Sequence, residues 1–148
     1  MGAPGSGTLR LINPMSEWYR KYRVPPGSTV RYQYPIWDEL LVKRKDVILE
    51  EAATFTRAMP RLDMLVITSA EVRIVEMKPN AQLRDVGQAL QYEQSLKRDV
   101  MLRERMDRPI KIVMVTLHEN MNVRALCEGQ GIEYIVIPPT ELQQPSST

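Results

Sequence analysis

The sequence predicts an α/β domain in which helices flank a mixed central sheet. Residues 61–78 contain two apolar, β-rich runs joined by a short polar turn, the pattern of an antiparallel hairpin. Residues 110–137 have the pattern of a strand, a helix and a strand, a unit that favours parallel pairing. Apolar residues on both faces of the hairpin strands indicate a sheet that is covered on two sides.

The first predicted elements are a short helix and a strand. The helix is expected to begin at Asn13, which precedes a proline, and to end at the Pro-Pro-Gly turn of residues 25–27. Apolar and polar residues then alternate over residues 29–34 with the period of a half-buried strand. Between residues 36 and 58 the pattern predicts only mixed helix.

The hairpin and a long helix follow. Strands are predicted over residues 61–67 and 72–78, with residues 68–71 as the turn. The next segment has an apolar stripe at helical spacing, which predicts a helix of about five turns. The residues of this stripe are Leu83, Val86 and Leu90.

The last elements are a strand over residues 110–117, a helix over 121–128 and a strand over 132–137. The complete order is therefore αβββαβ with a final αβ. Because Gly, Pro and Ser are frequent at both ends, we expect flexible tails at residues 1–8 and 143–148 around a single domain of residues 9–142.

Composition limits the possible function classes. A hydrophobic fraction of 43% and a charged fraction of 26% are typical of a globular protein and differ from disordered or membrane chains. The single cysteine, Cys127, excludes an internal disulfide and a thiolate zinc site. The sequence contains neither a signal-peptide pattern nor an apolar run of membrane length, so we expect a cytoplasmic protein without a membrane partner.

Two acids are predicted to face each other across the hairpin. A turn centred between residues 69 and 70 places Asp63 opposite Glu76, with Cβ atoms about 5 Å apart. Lys78 is two residues beyond Glu76 and therefore points to the same face. Carboxylates this close repel each other, and Mg²⁺ or Mn²⁺ would relieve the repulsion while keeping positions for water and a substrate phosphate. Lys78 would add positive charge beside the water and the substrate phosphate.

These segments resemble the PD-(D/E)XK nuclease superfamily, in the branch that contains RecB-like and λ-exonuclease-like nucleases. The matching text is RLDMLV at residues 61–66, VRIVEMKP at 72–79 and GQALQY at 87–92. The resemblance implies a restriction-endonuclease-like core and metal-dependent cleavage of DNA. It also implies that Asp63 and Glu76 bind the metal together with the Met77 carbonyl, and that Lys78 assists the attacking water.

The helix after the hairpin carries the motif Gln-x-x-x-Tyr, present as Gln88 and Tyr92. In the resembling family this motif supports DNA binding near the active site. Four residues apart on a helix, the two side chains should lie together and turn away from the apolar stripe. We also predict that Arg61 and Arg84 contact DNA.

The resemblance further implies an acid on the first helix. Glu17 is the predicted catalytic residue, while Glu50 and Glu51 remain alternatives in elements closer to the hairpin. The chain departs from the family pattern at one position, because Leu62 rather than proline precedes Asp63.

The predicted function is that of a metal-dependent deoxyribonuclease with little sequence specificity, since no segment resembles a base-reading module. Basic residues gather at residues 20–23, 43–45 and 97–111, so DNA binding should follow the phosphates and weaken with salt. Small standalone domains of this type occur in phages and mobile elements, which implies DNA processing or packaging in a bacterial host cytoplasm or a virion. The alternative is a non-catalytic DNA-binding or structural component of a phage-like assembly. Homo-oligomers and phage assembly partners are both compatible with the sequence.

Overall fold

The computed structural model describes residues 6–42, 59–102 and 107–142. Its helices are α1 (Ser6–Arg23), α2 (Glu39–Val42), α3 (Leu83–Leu96) and α4 (Met121–Gly129), followed by a 3-10 turn at Pro139–Glu141. Its strands are β1 (Thr29–Pro35), β2 (Arg61–Ile67), β3 (Val72–Met77), β4 (Ile110–Thr116) and β5 (Glu133–Val136). Within the described ranges, no helix has both the length and the apolar character needed to cross a membrane.

The five strands form one mixed sheet in the order β1-β2-β3-β4-β5. The pairs β1–β2 and β2–β3 are antiparallel, whereas β3–β4 and β4–β5 are parallel. The α/β class and the mixed sheet predicted from the sequence are therefore confirmed. Strand β3 is central, and its C-terminal end is the place where antiparallel and parallel neighbours meet.

The hairpin between β2 and β3 has its turn where the sequence predicts it. The Thr68 hydroxyl accepts hydrogen bonds from the N–H groups of Ala70 and Glu71, and the Thr68 N–H donates to the Glu71 carbonyl. A side-chain oxygen that closes its own turn in this way favours one loop geometry. It sets the register that pairs Ile67 with Val72 and Met64 with Val75.

Helices cover both faces of the sheet, as predicted. Residues of α1 pack with alternate residues of the central strands on one face, and residues of α3 and α4 pack on the other. The α1 side contains Met15, Trp18, Tyr19, Met64, Val66, Val75, Met77, Val113 and Val115. The α3/α4 side contains Leu65, Ile67, Ile74, Ile112, Met114, Val86, Ala89, Leu96, Val123 and Cys127.

The start predicted for the first helix is wrong. Helix α1 begins at Ser6, before the predicted start at Asn13, and contains Pro14 in its interior. A proline at this position removes one backbone hydrogen bond, but the neighbouring Met15 is fully buried in the core, and such packing overrides local propensity. Residues 6–8 of the predicted N-terminal tail are consequently helical, while residues 1–5 and 143–148 lie outside the described residues.

The long helix also differs from its prediction. Helix α3 has 14 residues, or about four turns, and buries Val86, Ala89 and Leu96. Leu83, the first residue of the predicted stripe, is 52% exposed. In the segment of residues 36–58, predicted as mixed helix, α2 is helical and residues 43–58 lie outside the described part of the chain.

Candidate active site

The two predicted acids lie opposite each other where the β2–β3 ladder ends. Backbone pairing stops at Met64 and Val75, one pair before the acids. From there the side chains replace the backbone as acceptors. The Asp63 N–H donates to Glu76 Oε2 at 3.0 Å, and the Met77 N–H donates to Asp63 Oδ2 at 2.8 Å. Each strand therefore holds the carboxylate of the other.

Strand β4 keeps the second half of the site in place. Glu76 and Met77 stay in parallel register with Met114 and Val115 of β4. The Lys78 N–H donates to the Val115 carbonyl at 2.9 Å. Because one edge of β3 remains fully paired, its other edge is free to pair with carboxylates without loss of strand geometry.

Burial makes the two acids electrostatically unfavourable as a pair of anions. Glu76 is 3% exposed. Its burial, followed by the negative charge of Asp63, raises the pKa of Glu76 to about 8. Burial also raises the pKa of Asp63, and the Met77 N–H and the positive charge of Lys78 oppose that rise only in part. Near neutral pH the pair therefore retains a proton when no cation is bound.

Helix α3 brings Tyr92 toward these acids. The Tyr92 ring is half-buried and packs against the α3/α4 core, so it is not turned away from the apolar side as the sequence predicted. Burial, with the nearby charges of Glu76 and Asp63, raises the pKa of Tyr92 to about 12. Gln88, one turn earlier, is exposed and lines a shallow groove with Arg84.

A third acid near the site was missed by the sequence analysis. Asp85 is in the first turn of α3, where its carboxylate accepts a hydrogen bond from the Gln82 N–H at 2.8 Å. Its negative charge contributes to the raised pKa of both Asp63 and Glu76. The spacing of Gln82 and Asp85 is that of a capping box and is visible in the sequence. The distance of Asp85 from Asp63 and Glu76, however, depends on how α3 packs against the sheet.

An open groove leads from Asp63 along the space between α1 and β1. Its walls include the predicted helix acid Glu17, which is exposed. The lining residues are Asn13, Ser16, Glu17, Arg20, Tyr32, Gln33 and Asp63. The alternative acids Glu50 and Glu51 lie outside the described residues. Arg61 Nη1 donates at 3.3 Å to the carbonyl of Gln33, which lines this groove.

Gln33 is a second residue that sequence analysis missed. It stands between the β1–β2 pairs Tyr32–Met64 and Tyr34–Leu62, which places it beside Asp63. Its side chain and that of Asp63 line the same groove, and Gln33 opposes the rise in the pKa of Asp63. In the sequence it occupies only a polar position of an alternating strand, and no local signal distinguishes it from Arg31.

The chemistry of the donors fits a hard divalent cation. Within the described residues, no three His, Cys, Asp or Glu side chains converge into a ready-made metal site. Asp63, Glu76 and the Met77 carbonyl could instead supply oxygen ligands, with water completing the shell, as Mg²⁺ prefers. A buried and a half-buried acid, both with raised pKa values, are a suitable environment for such an ion, because its charge would stabilise both carboxylates.

No protein-family model matches the sequence, and a comparison with curated proteins gives no significant match. Among solved structures, the chain is similar to EndoMS in a complex with double-stranded DNA, with a TM-score of 0.52 and 17% identity. The similarity covers 86% of this chain and 44% of that one, so this chain spans less than half the length of EndoMS in that structure. Together with the mixed sheet, this similarity confirms the predicted restriction-endonuclease-like fold.

Proposed function

We propose that this protein is a Mg²⁺- or Mn²⁺-dependent deoxyribonuclease of the PD-(D/E)XK type with little sequence specificity. The observation that supports it most strongly is the pair formed by Asp63 and Glu76, in which each carboxylate is held by a backbone N–H of the opposite strand. A structural acid pair would be expected at the surface, whereas Glu76 is buried beside a second acid at an energetic cost. The nuclease-type fold supports the same function.

Each residue of the proposed site would have a separate role in hydrolysis. When bound, the metal would lower the pKa of a water ligand and neutralise charge on the phosphate. Asp63, Glu76 and the Met77 carbonyl would hold it. The Lys78 ammonium, two residues from Glu76, would orient the attacking water and stabilise negative charge that develops on the phosphate oxygens. Glu17 would hold a water molecule from the α1 side of the groove.

DNA contacts are proposed on both sides of the acids. On α3, Gln88 and Arg84 are exposed along one groove, and the half-buried Tyr92 is near enough to the acids for their charges to raise its pKa. Arg61 donates to the carbonyl of Gln33, which lines the α1–β1 groove. Hydrogen bonds and charges at these positions can bind the phosphate backbone but cannot read base sequence. A function in phage DNA processing or packaging, in a host cytoplasm or a virion, remains the proposed context.

The test compares wild type with Asp63→Asn and Lys78→Met on linear, circular and single-stranded DNA, with Mg²⁺, Mn²⁺ or EDTA. We expect metal-dependent cleavage by wild type and a loss of at least about 100-fold in both variants, since each removes a group that acts in the transition state. Susceptibility of closed circular DNA distinguishes an endonuclease from an exonuclease.

Two matched variants provide controls at the opposite end of the sheet. Asp107→Asn and Lys111→Met make the same chemical changes in exposed or ion-paired residues near the start of β4 and should cleave as wild type does. Equal cleavage by all five proteins would disprove the assignment. A folded wild type that binds DNA but never cleaves it would instead support the non-catalytic component of a phage-like assembly.

A further inference from the structure

Gln33 has an unusual backbone conformation. Among the described residues it is the only non-glycine residue with a positive φ, at 51°. Asparagine, aspartate and glycine adopt this left-handed region far more readily than glutamine does. Residues that keep such a conformation cluster at functional sites, where surrounding contacts hold them.

Both strands at this position exchange the face to which their side chains point. On β1, Tyr32 lines the groove beside α1, whereas Tyr34 packs against the α3/α4 core. On β2, Met64 belongs to the α1 core, whereas Leu62 belongs to the α3/α4 core. Residues two apart on a regular strand share a face. The exchange therefore occurs at Gln33 on one strand and at Asp63 on the other.

Three strands consequently converge on one carboxylate. Asp63 itself belongs to β2, the Met77 N–H donates to it from β3 at 2.8 Å, and Gln33 lies opposite it on β1 in the same groove. A carboxylate only accepts hydrogen bonds, so the amide nitrogen is the Gln33 side-chain atom that can donate to it. The Gln33 carbonyl accepts a hydrogen bond from Arg61, which further restrains the backbone at this residue.

We propose that Gln33 is a positioning residue of the acidic site, which holds the Asp63 carboxylate in the orientation that binds the cation. This inference rests on the proposed metal-dependent function. Hydrogen-bond partners of metal ligands fix ligand orientation, and their loss typically weakens metal affinity about 10- to 100-fold. Gln33 is placed for this role because it lies opposite Asp63 in the β1–β2 register and lines the same groove.

Two variants separate the side chain from the backbone. Gln33→Gly removes the amide but adopts a positive φ without strain, whereas Gln33→Ala removes the amide and keeps the strain. We expect Mn²⁺ affinity, measured by calorimetry and by electron paramagnetic resonance without DNA, to fall about 10-fold in both variants. The melting temperature in EDTA should fall only in Gln33→Ala.

Cleavage kinetics provide an independent measurement. Both variants should need about 10-fold more Mn²⁺ for half-maximal cleavage, with kcat at saturating Mn²⁺ close to that of wild type. Gln130→Ala, which alters an exposed glutamine after α4, is the matched control and should change neither quantity. Mn²⁺ affinity that falls in Gln33→Ala but stays at the wild-type value in Gln33→Gly would overturn the proposal, because only the backbone would then matter.

A last measurement distinguishes failure of this inference from failure of the proposed function. In metal-free protein, the Gln33 side-chain amide resonance should shift when Asp63 is replaced by alanine, because the proposed contact between the amide and the carboxylate does not require a cation. An unchanged resonance would overturn the role of Gln33. If the resonance shifts in Asp63→Ala but wild type does not bind Mn²⁺, the proposed metal-dependent nuclease function is overturned while the contact between Gln33 and Asp63 is supported.

Discussion

At the scale of single residues, the burial of Glu76 governs the energetics of the site. Its carboxylate is almost inaccessible to solvent and faces a second acid, while the Asp63 N–H and the charge of Lys78 compensate only partly. Burying an ionised carboxylate without a full counter-charge is costly, so the group keeps its proton to a higher pH. Metal-binding affinity and protein stability should therefore respond to pH in opposite directions.

Replacing Glu76 with glutamine should stabilise the metal-free protein at alkaline pH. In wild type, the pKa of Glu76 rises from 4.5 to about 8 on folding, so the folded state binds more protons between these values and stability falls as the pH rises. Glutamine cannot ionise and still accepts the Asp63 N–H. In EDTA at pH 9, we expect the free energy of unfolding of Glu76→Gln to exceed that of wild type by on the order of a few kcal/mol.

Urea unfolding at pH 5, 7 and 9 measures this difference, which should shrink toward pH 5. Glu128→Gln, at an exposed position of α4, is the matched control and should show no such pH dependence. Mg²⁺ should stabilise wild type more than Glu76→Gln at pH 8, because an ionised carboxylate is a stronger ligand for the cation than a neutral amide oxygen. A pH-independent difference between wild type and Glu76→Gln would contradict the buried acid pair.

At the scale of elements, a polar cluster connects the end of β1 to the end of α3. Arg98 donates two hydrogen bonds to Asp38, at 2.9 and 2.7 Å, and these contacts lower the pKa of Asp38. Asp99 is 2% exposed and accepts hydrogen bonds from the Tyr34 hydroxyl and from the backbone N–H of Trp37. This cluster therefore ties the C-terminal end of α3, the helix that carries Tyr92, to the end of β1.

Removing the Asp99 carboxylate should destabilise the whole domain. Asp99 also accepts the N–H groups of Met101 and Leu102, so Asp99→Ala leaves several donors without an acceptor. We expect a loss of about 3 kcal/mol in the free energy of unfolding, measured by urea denaturation. Asp99→Asn keeps one acceptor oxygen and should lose less.

Asp107→Asn is the control for this measurement, because Asp107 is exposed. A change smaller than about 0.5 kcal/mol in Asp99→Ala, typical of surface substitutions, would show that the cluster does not hold α3 in place.

At the scale of the whole molecule, the net charge would not by itself direct DNA to the proposed site. The formal charge is only +2, so affinity must depend on where positive charges stand. Arg84 is exposed on the α3 side of the acids, and Arg20 lines the groove on the α1 side. In contrast, Arg124 pairs with Glu119 and lies over the Tyr134 ring, on the helix that precedes β5.

Binding of duplex DNA should therefore weaken steeply with salt, in a manner that depends on Arg84. With Asp63→Asn as the non-cleaving background, fluorescence anisotropy between 50 and 200 mM salt should give a negative log–log slope of about 0.9 per phosphate contacted. Adding Arg84→Gln should reduce the magnitude of this slope by about 1. Adding Arg124→Gln is the control and should leave it unchanged. Salt-insensitive binding would contradict a phosphate-directed interface.

Local patterns explain which parts of the fold could be predicted. The alternation of apolar and polar residues and the β-rich apolar runs predicted the strands. The polar turn at residues 68–71 predicted the register that brings Asp63 and Glu76 together, because neighbours in a hairpin are close in sequence. The start of α1 could not be predicted, since Pro14 indicates a helix start locally while burial of Met15 keeps the helix continuous. Burial of the apolar stripe of α3 could not be fully predicted either, since Leu83 belongs to the stripe in sequence but is exposed in the structure.

By itself, the sequence determined the α/β class, the order of the elements and the opposition of the two acids, because periodicity and short-range turns specify them. Only the tertiary structure decided that Glu76 is buried, that β2 and β3 exchange carboxylate contacts and that Gln33 of β1 lies opposite Asp63 in one groove. These features depend on strands and helices that are distant in the sequence. Burial and hydrogen-bond geometry are properties of the packed molecule; they give the pair of acids its altered pKa values and are the basis of the cation-binding role proposed for it.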